Sequence, residues 1–487
     1  MLARSRAYLH AEQIVDDLSR EDLEDESHIR TFEDRFCSYI GAERCHATNQ
    51  ARAALLIALR ALDLSPGDEV LVPDFTFEGV VDAILESGAT PVFVEPALQD
   101  FNVPASHFIE KMTERTRAVI ATHLFGIPCD IGDLPAIAKE NDCVVIEDCA
   151  QCLGAEYNGR PVGTFGDFTI VSFNYEKHLT TGEGGMLVVN NPTFAGDVER
   201  VVGSCTRVPL HDEKCYVYGM LVQHTATERA VYRRDLLAYF GQNCCRDNPD
   251  IFGLVDDMVL QGEPWEDVRT ALLPHVEREI ERAGYVPPYM RNAVVREVLK
   301  RAGEARSRVF CPPIRTIGTG HLLMGALRAL VGTLGLEELP AVNAARNRNA
   351  RLFYGAMQDT PGFLLPEISP GKVPAFLKCN ILNRTHHPLS LIVGRARDRG
   401  YEVGNIQWPR PVHLLPRFRH AAGRQRDVFP LTGYLTGRII NIPIHCGVTS
   451  EDIEGMAACL REFSSGAGSG VADRLKVTGV EAATHGV

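Results

Sequence analysis

The sequence predicts an α/β fold in which helices cover both faces of a mostly parallel β-sheet. Two observations support this prediction. Between Thr48 and Asn190, short runs rich in β-branched residues alternate with stretches of helical periodicity. The chain has 487 residues, of which 45% are hydrophobic and 23% charged, so it is long enough to bury such a sheet and to form two or three structural units.

The elements of this region follow one another in a regular order. The first is a helical stretch, "QARAALLIALRALDL", with apolar residues at helical spacing. The predicted strands are "EVLVP", "TPVFVE", "AVIATH", "CVVIED", "FTIVSF" and "GMLVV", and helical stretches such as "EGVVDAILESG" and "IGDLPAIAKEN" separate several of them. Ligands bind beyond the carboxyl ends of parallel strands, so the residues that follow these strands should share one rim of the sheet. Those residues are Phe75, Phe77, His123, Asp148 and the segment Ser172 to Lys177.

The remaining sequence predicts an insertion and a second domain. Residues 1–204 and 316–340 are assigned to the large domain, and residues 205–315, rich in charged helical stretches, to an inserted, mainly helical subdomain. Residues 341–465 return to an α/β pattern and predict a smaller C-terminal domain. Residues 466–487 have little periodicity and predict a disordered tail.

Composition excludes several classes of partner. The net charge of −13 argues against binding to a nucleic-acid backbone, which requires a basic surface. The sequence contains neither a signal peptide nor an apolar run that could span a bilayer, so a cytoplasmic protein without membrane contact is expected. The fourteen cysteines are expected to be reduced thiols, and Cys149 and Cys152 form a single CxxC without a second one, so no metal site is expected.

Lys177 is the residue on which the functional hypothesis depends. It follows a predicted strand and precedes the glycines of "TTGEGG". Asp148 lies on the same rim after four apolar residues, where a buried carboxylate would be costly without a cationic partner. Two interpretations remain open at this point. Lys177 and Asp148 form a structural ion pair, or Lys177 carries pyridoxal 5′-phosphate as a Schiff base while Asp148 faces the ring nitrogen of the cofactor.

The cofactor hypothesis requires three further groups, and the rim can provide each. The helix that starts near Ala51 offers backbone N–H groups and a positive dipole end to the phosphate, and Ser172 can add a hydroxyl. Phe77 can stack on the ring. Gln151 can donate a hydrogen bond to the ring oxygen from the same loop as Asp148.

Several blocks of the sequence resemble a known family. They are "LDLSPGDEVLVPDFTFEGVVDAILESGATPVFVE", "VVIEDCAQCLGAEYNGRPVGTFGDFTIVSFNYEKHLTTGEGGMLVVN" and the weaker "WPRPVHLLPRF" and "IINIPIHCGVTSEDIEGM". Together they are similar to the DegT/DnrJ/EryC1/StrS aminotransferases, and they cover most of the chain outside the insertion and the tails. The resemblance implies the pyridoxal-phosphate-dependent transferase fold type I, with a mostly parallel seven-stranded sheet. It places Lys177 at the Schiff base, Asp148 at the pyridinium nitrogen, Gln151 at the ring oxygen, Ser172 at the phosphate and Phe77 against the ring.

The sequence departs from the family pattern at two binding segments. The phosphate motif of the family, "GTAAL", reads "ARAAL" here, so the resemblance places Arg52 and Ala53 at the phosphate position. The guanidinium of Arg52 either pairs with the phosphate or turns into solvent. Family members also use an asparagine that reaches the phosphate of a neighbouring subunit, and His321 occupies that position. The resemblance thereby implies a homodimer with the active site at the subunit interface. His178 is interpreted as a neighbour of Lys177 without a role in proton transfer.

The resemblance implies an aminotransferase of secondary metabolism. Its amino donor is expected to be glutamate or glutamine, and its acceptor a keto group on a nucleotide-linked sugar or a related cyclic ketone. A pyridoxal-dependent lyase, isomerase or condensing enzyme acting on a non-sugar substrate is the alternative. A non-catalytic regulatory relative is a third hypothesis. Retention of Asp148, Gln151, Ser172 and Lys177 argues against it.

Overall fold

The computed structural model describes residues 1–3, 5–229, 232, 249–282, 321–405, 410–418 and 429–464. The tail predicted at 466–487 and the portions of the predicted insertion at 230–231, 233–248 and 283–315 lie outside the described residues. Within the described ranges, no helix is both long enough and apolar enough to cross a membrane.

A seven-stranded sheet forms the centre of the large domain. Its strands are β1 (Cys45–Thr48), β2 (Glu69–Pro73), β3 (Thr90–Val94), β4 (Thr116–Thr122), β5 (Val144–Asp148), β8 (Phe168–Ser172) and β9 (Gly185–Val189), in the order β1-β9-β8-β5-β4-β2-β3. β9 is antiparallel to both of its neighbours, and the remaining pairs are parallel. The predicted mostly parallel sheet is therefore confirmed. β1 is a strand that the sequence pattern did not predict.

Both faces of this sheet are buried. Val70 and Ile120 belong to the core formed with the helix Ala51–Ala61, whereas the adjacent residues Leu71 and Val119 belong to a separate core on the opposite face. Successive side chains of a strand point to opposite faces, so continuous apolar strands require cover on both sides. This burial explains why the strand sequences are apolar runs rather than alternating patterns.

The helices enclose this sheet and build the rest of the molecule. In the described ranges they are Ala11–Arg20, Ser27–Ile40, Ala51–Ala61, Glu78–Glu86, Ala105–Lys111, Leu134–Glu140, Ala195–Val202, Leu210–Ala226, Pro249–Leu260, Trp265–Arg282, Ala326–Met357, Leu389–Asp398, Pro430–Thr436 and Ser450–Arg461. The helix Ala51–Ala61 begins where the sequence predicts it, and most of its residues are buried. Its N-terminus packs on Gly185, the first residue of β9, which pairs with Ser172 at the end of β8.

Two smaller sheets accompany the central one. Strands β6 (Glu156–Tyr157), β7 (Arg160–Pro161) and β11 (Lys372–Val373) form a three-stranded sheet, and β10 (Phe363–Leu364), β12 (Cys379–Asn383), β13 (Gly404–Asn405) and β14 (Ile439–Ile442) form a four-stranded sheet in the order β10-β12-β14-β13. The four-stranded sheet packs with the long helix Ala326–Met357 and the helix Ser450–Arg461 in one core. The long helix continues through residue 340, where the sequence predicts a domain limit. The domain limits themselves stay a prediction.

The described part of the predicted insertion is helical. The helices Leu210–Ala226, Pro249–Leu260 and Trp265–Arg282 share a core with the N-terminal helix Ala11–Arg20. Leu327 and Val331 of the long helix also belong to this core. The inserted helices are thus packed against the body of the molecule, close to the loop that carries Lys177.

Candidate active site

The carboxyl ends of β4, β5 and β8 bring the candidate residues together. β5 lies between β4 and β8 in the sheet, and it ends at Asp148. His123 follows β4 and donates its backbone N–H to the carbonyl oxygen of Asp148 at 3.1 Å. β8 ends at Ser172, five residues before Lys177. The predicted rim is therefore present, with Asp148 at its centre.

Asp148 is a buried carboxylate, with 5% of the residue exposed. Its Oδ1 accepts a hydrogen bond from the N–H of Ala150 at 3.0 Å. Burial raises the pKa of Asp148, while this hydrogen bond and the positive charge of Lys177 act in the opposite direction. A cation placed against Asp148 would offset the cost of burying its charge.

Lys177 lies in a tight turn after β8, in which its N–H donates to the carbonyl oxygen of Asn174 at 2.9 Å. Burial lowers the pKa of Lys177 to about 8, and the positive charge of Lys378 acts in the same direction. The negative charge of Asp148 opposes this change. With a pKa near 8, about half of the amine is uncharged and nucleophilic at mildly alkaline pH.

A second lysine next to the site offers a test of this charge balance. Lys378 Nζ lies 3.0 Å from Glu176 Oε2. The positive charge of Lys378 lowers the pKa of Lys177, and the negative charge of Glu176 raises it. Replacing Lys378 by methionine should raise the pKa of Lys177 by roughly half a unit to one unit, because a repelling charge is removed. Glu176→Gln should lower the pKa of Lys177, because an attracting charge is removed. The rate of reaction of the apo protein with an aldehyde, followed against pH, measures both shifts.

The matched control for this pair is Lys139→Met. Lys139 is exposed near the end of the helix Leu134–Glu140, at the opposite end of the sheet from the rim. This variant should leave the midpoint of the pH profile unchanged. Shifts of the same sign in Lys378→Met and Glu176→Gln would contradict the proposed charge balance.

Gln151 follows Asp148 by three residues, Ser172 precedes Lys177 by five, and both Gln151 and Ser172 are buried. The Oε1 of Gln151 accepts the backbone N–H of Phe125 at 3.1 Å. This contact fixes the amide so that its NH₂ group is the side left to donate to a ligand. The hydroxyl of Ser172 makes a long contact, accepting from the N–H of Asn174 at 3.4 Å.

The start of the helix Ala51–Ala61 lies against Gly185, the residue of β9 that pairs with Ser172. Its N-cap residue, Gln50, makes no side-chain capping hydrogen bond to the helix. Arg52 donates to Gln50 Oε1 at 2.7 Å, and its guanidinium carbon lies 5.9 Å from the centre of the Phe77 ring. The N–H of Ala53 donates to the carbonyl oxygen of Gln50 at 3.0 Å, within the first turn. The structure thus brings Arg52 and Phe77 together and uses the Ala53 N–H inside the helix.

The side chain of His321 makes hydrogen-bonding contacts within its own chain. Its ring Nδ1 lies 2.9 Å from the hydroxyl of Thr206 and 3.0 Å from the carbonyl oxygen of Arg207. Its own carbonyl oxygen accepts from the side chain of Asn49 at 3.2 Å, two residues before the helix Ala51–Ala61. The contact of His321 with a phosphate in a neighbouring subunit, and the homodimer that it implies, stay predictions.

His178 is a structural neighbour of Lys177. It is buried, and its Nε2 lies 2.9 Å from the carbonyl oxygen of Ala375. Burial lowers the pKa of His178 to about 3, so the ring is neutral at physiological pH and donates to that carbonyl. This contact agrees with the interpretation that His178 has no role in proton transfer.

A buried network supports the strand ends around Asp148. His123, Glu147 and Cys149 place nitrogen, oxygen and sulfur atoms within 4.8 Å of one another. Glu147, however, accepts backbone N–H groups from Gly163, Phe165 and Gly166 at 2.9, 2.6 and 2.7 Å. Burial raises the pKa of Cys149 to about 12, so this residue is a protonated thiol near neutral pH. The carboxylate of Glu147 therefore holds the turn between β7 and β8 against the end of β5.

A sequence model of the DegT/DnrJ/EryC1/StrS aminotransferase family matches residues 10–219 and 297–461, which is more than half of the chain. The chain belongs to this family. The match contains every candidate residue on the rim and leaves out residues 220–296, which lie inside the predicted insertion.

Two of the curated relatives have names that contain a nucleotide-linked sugar. The chain is 41% identical over 168 residues to a GDP-perosamine synthase of Escherichia coli O157:H7, covering 34% of this chain and 46% of the relative. It is 42% identical over 168 residues to a dTDP-3-amino-3,6-dideoxy-alpha-D-galactopyranose transaminase of Aneurinibacillus thermoaerophilus, again covering 34% and 46%. The match therefore spans less than half the length of each of these curated relatives.

Solved structures share the fold over almost the whole chain. The aminotransferase TlmJ from Streptoalloteichus hindustanus is 18% identical with a TM-score of 0.67, and the match covers 96% of this chain and 99% of TlmJ. An aminotransferase from Psychrobacter cryohalolentis is 20% identical with a TM-score of 0.67, covering 95% and 98%. This similarity confirms the predicted fold type I.

Three charged residues of this family member surround the candidate site without having been predicted there. Glu183 is buried within the glycine-rich stretch that follows Lys177. Lys378 interrupts the apolar run "AFLKCNILN", and Arg328 is a single charge in the apolar stretch "LLMGALRALV". A lone charge in an otherwise apolar run is the sequence signal that would have identified Lys378 and Arg328, because burial requires a partner for each.

Proposed function

We propose that this protein is a pyridoxal-phosphate-dependent aminotransferase. It moves an amino group from glutamate or glutamine to the keto group of a nucleotide-linked sugar or a related cyclic ketone. The observation that carries the proposal is the pairing on one rim of a lysine with a pKa of about 8 and a buried carboxylate, Lys177 and Asp148. The names of the curated relatives support the choice of a sugar-linked acceptor.

The donor groups around the rim fit pyridoxal phosphate. Lys177 would hold the cofactor through its amine, and Asp148 would face the positively charged ring nitrogen. Gln151 would donate its NH₂ group to the ring oxygen, and Phe77 would lie against the ring. The phosphate would lie between Ser172 and the start of the helix Ala51–Ala61, where Arg52 adds a positive charge.

Gly185 fits the same arrangement. It begins β9 and packs directly on the start of the helix, since a Cβ at this position would lie 2.5 Å from the nitrogen of Ala51. Any larger residue would push the strand away from the helix N-terminus, so Gly185 keeps the proposed phosphate site next to the lysine loop.

Asp148 and Lys177 would have different roles in the reaction. When bound, the cofactor supplies an electron-withdrawing ring that stabilises negative charge at the substrate carbon. Asp148 keeps a positive charge on that ring favourable in a buried position. The amine of Lys177, once released from the cofactor, would be suited to take the proton from the α-carbon of the donor amino acid and deliver it to the cofactor carbon, because its pKa of about 8 lies close to neutral pH.

The first half-reaction tests the proposal without knowledge of the acceptor. Purified protein loaded with pyridoxal phosphate should convert glutamate or glutamine to the corresponding oxo acid once per site and then stop, with loss of the visible absorbance of the bound cofactor. Addition of a keto-sugar nucleotide should restore the absorbance. If neither donor yields an oxo acid while another amino acid loses carbon dioxide or water, the lyase or condensing alternative is correct instead.

A further inference from the structure

A buried arginine connects the inserted helices to both sides of the proposed cofactor site. Arg328, on the helix Ala326–Met357, pairs with Glu213 on the helix Leu210–Ala226, and their side chains are 0% and 1% exposed. Arg328 donates to Glu213 Oε1 from Nε at 2.8 Å and from Nη2 at 2.5 Å. Glu213 also accepts the backbone N–H groups of Gly325 and Arg328, each at 3.0 Å. The pair thereby fixes the start of the long helix to the first inserted helix.

The other side of the guanidinium faces the site. Nη1 donates to the carbonyl oxygen of Glu183 at 2.8 Å and to that of Asn49 at 3.1 Å, and Nη2 donates to Asn49 Oδ1 at 3.1 Å. A guanidinium has five N–H donors, so these contacts and the two to Glu213 use its full capacity. Replacement by any other side chain would leave buried acceptors without donors.

The acceptors belong to the two segments proposed to hold the cofactor. Asn49 directly precedes Gln50, the N-cap of the helix Ala51–Ala61. Glu183 lies between Lys177 and Gly185, and its carbonyl oxygen also accepts from the hydroxyl of Thr181 at 2.7 Å. Arg328 therefore sets the distance between the proposed phosphate site and the lysine loop.

The first inserted helix also contacts the lysine loop directly. Gly182 has a φ of +81°, and a Cβ there would lie 2.5 Å from the carbonyl oxygen of Tyr216. The ring of Tyr216 lies 4.7 Å from the guanidinium carbon of Arg328. The hydroxyl of Thr180 lies 3.8 Å from the sulfur of Met220 on the same helix. The helix Leu210–Ala226 is thus one wall of the loop that carries Lys177.

We infer that Arg328 and Glu213 are positioning residues for the phosphate end of the cofactor site, and that the helix Leu210–Ala226 is part of that site. This inference rests on the proposed function, because it assumes that pyridoxal phosphate binds on the rim. Arg328 acts through Asn49 and Glu183 and needs no contact with the cofactor. The specific consequence is a stronger effect on binding of the phosphate group than on binding of the ring.

Arg328→Lys is the variant that tests the inference. Lysine keeps a positive charge opposite Glu213 but donates from one nitrogen only, so it cannot serve Glu213, Asn49 and Glu183 together. The dissociation constants of pyridoxal phosphate and of pyridoxal, which lacks the phosphate, are measured by absorbance titration of the apo protein. We expect the constant for pyridoxal phosphate to rise about tenfold or more and that for pyridoxal to rise less than about threefold.

Two further variants keep the test decisive. Both carboxylate oxygens of Glu213 accept N–H groups, so Glu213→Gln keeps one acceptor but turns an NH₂ group toward a donor and removes the charge that pairs with Arg328. It should show the same selective loss and serves as the test if Arg328→Lys does not fold. Arg269→Gln breaks a bidentate pair between Arg269, on the helix Trp265–Arg282, and Glu228, and should leave both constants unchanged. Equal losses for the two ligands, or no loss in folded Arg328→Lys protein, overturn the inference. Failure of the unmodified protein to bind pyridoxal phosphate overturns the proposed function, and this inference with it.

Discussion

Lys177→Ala is expected to abolish covalent attachment of pyridoxal phosphate and to reduce amino transfer by roughly 10³ to 10⁶-fold, the range found when a nucleophile is removed. The reason is that the variant loses the amine that holds the cofactor and the base that moves the proton. The amine of Lys177 is suited to hold the cofactor and to move the proton because its pKa is about 8. Absorbance of the purified protein and mass spectrometry after borohydride reduction measure attachment, and the half-reaction with glutamate measures activity.

Two controls separate these roles from a loss of structure. The apo form of Lys177→Ala should be no less stable to heat than the unmodified protein, because burial already disfavours the charged ammonium. Added methylamine should restore part of the activity if the missing group is a base. Visible absorbance in Lys177→Ala that disappears when Lys378 is also replaced would contradict the assignment, since Lys378 is another amine close enough to affect the pKa of Lys177.

The rim of the sheet could be predicted from sequence because its residues follow directly from local patterns. Asp148 and Ser172 each end an apolar strand, and the helix Ala51–Ala61 shows its own periodicity. The carboxyl ends of parallel strands must lie at one edge, so strand assignment alone brings these residues together. β1 was missed because "CHAT" is only four residues long and has no run of β-branched residues.

The surroundings of the rim could not be predicted because they join segments far apart in the chain. The pairs Lys378–Glu176 and Arg328–Glu213 are separated by 202 and 115 residues. Neither partner of such a pair carries a local pattern that identifies the other. The charge balance that acts on Lys177 is therefore a property of the folded chain. The placement of Arg52 next to Phe77 is likewise a property of the folded chain. The contact of Arg52 with a phosphate stays a prediction.

Asp148→Asn should separate attachment of the cofactor from the reaction. The variant keeps the shape of the side chain and loses its charge, so a protonated ring nitrogen is no longer favoured at the buried end of β5. Attachment through Lys177 should survive, while the half-reaction with glutamate should slow by roughly 10² to 10⁴-fold, as found for other buried charges that stabilise a reacting centre. The pKa of Lys177 in the apo protein should fall below about 8, because Asp148 is one of the charges that raise it.

Asp148→Glu is the matched control, since it keeps the carboxylate and lengthens the side chain by one methylene group. Its half-reaction should be faster than that of Asp148→Asn if negative charge is the required property. Equal rates for the two variants would mean that the exact position of the side chain matters more than its charge. A rate for Asp148→Asn close to that of the unmodified protein would contradict the proposed role of Asp148 altogether. In that case the buried carboxylate at the end of β5 would be only an anchor for the N–H of Ala150 and a partner of the Lys177 charge, as in the structural ion-pair interpretation.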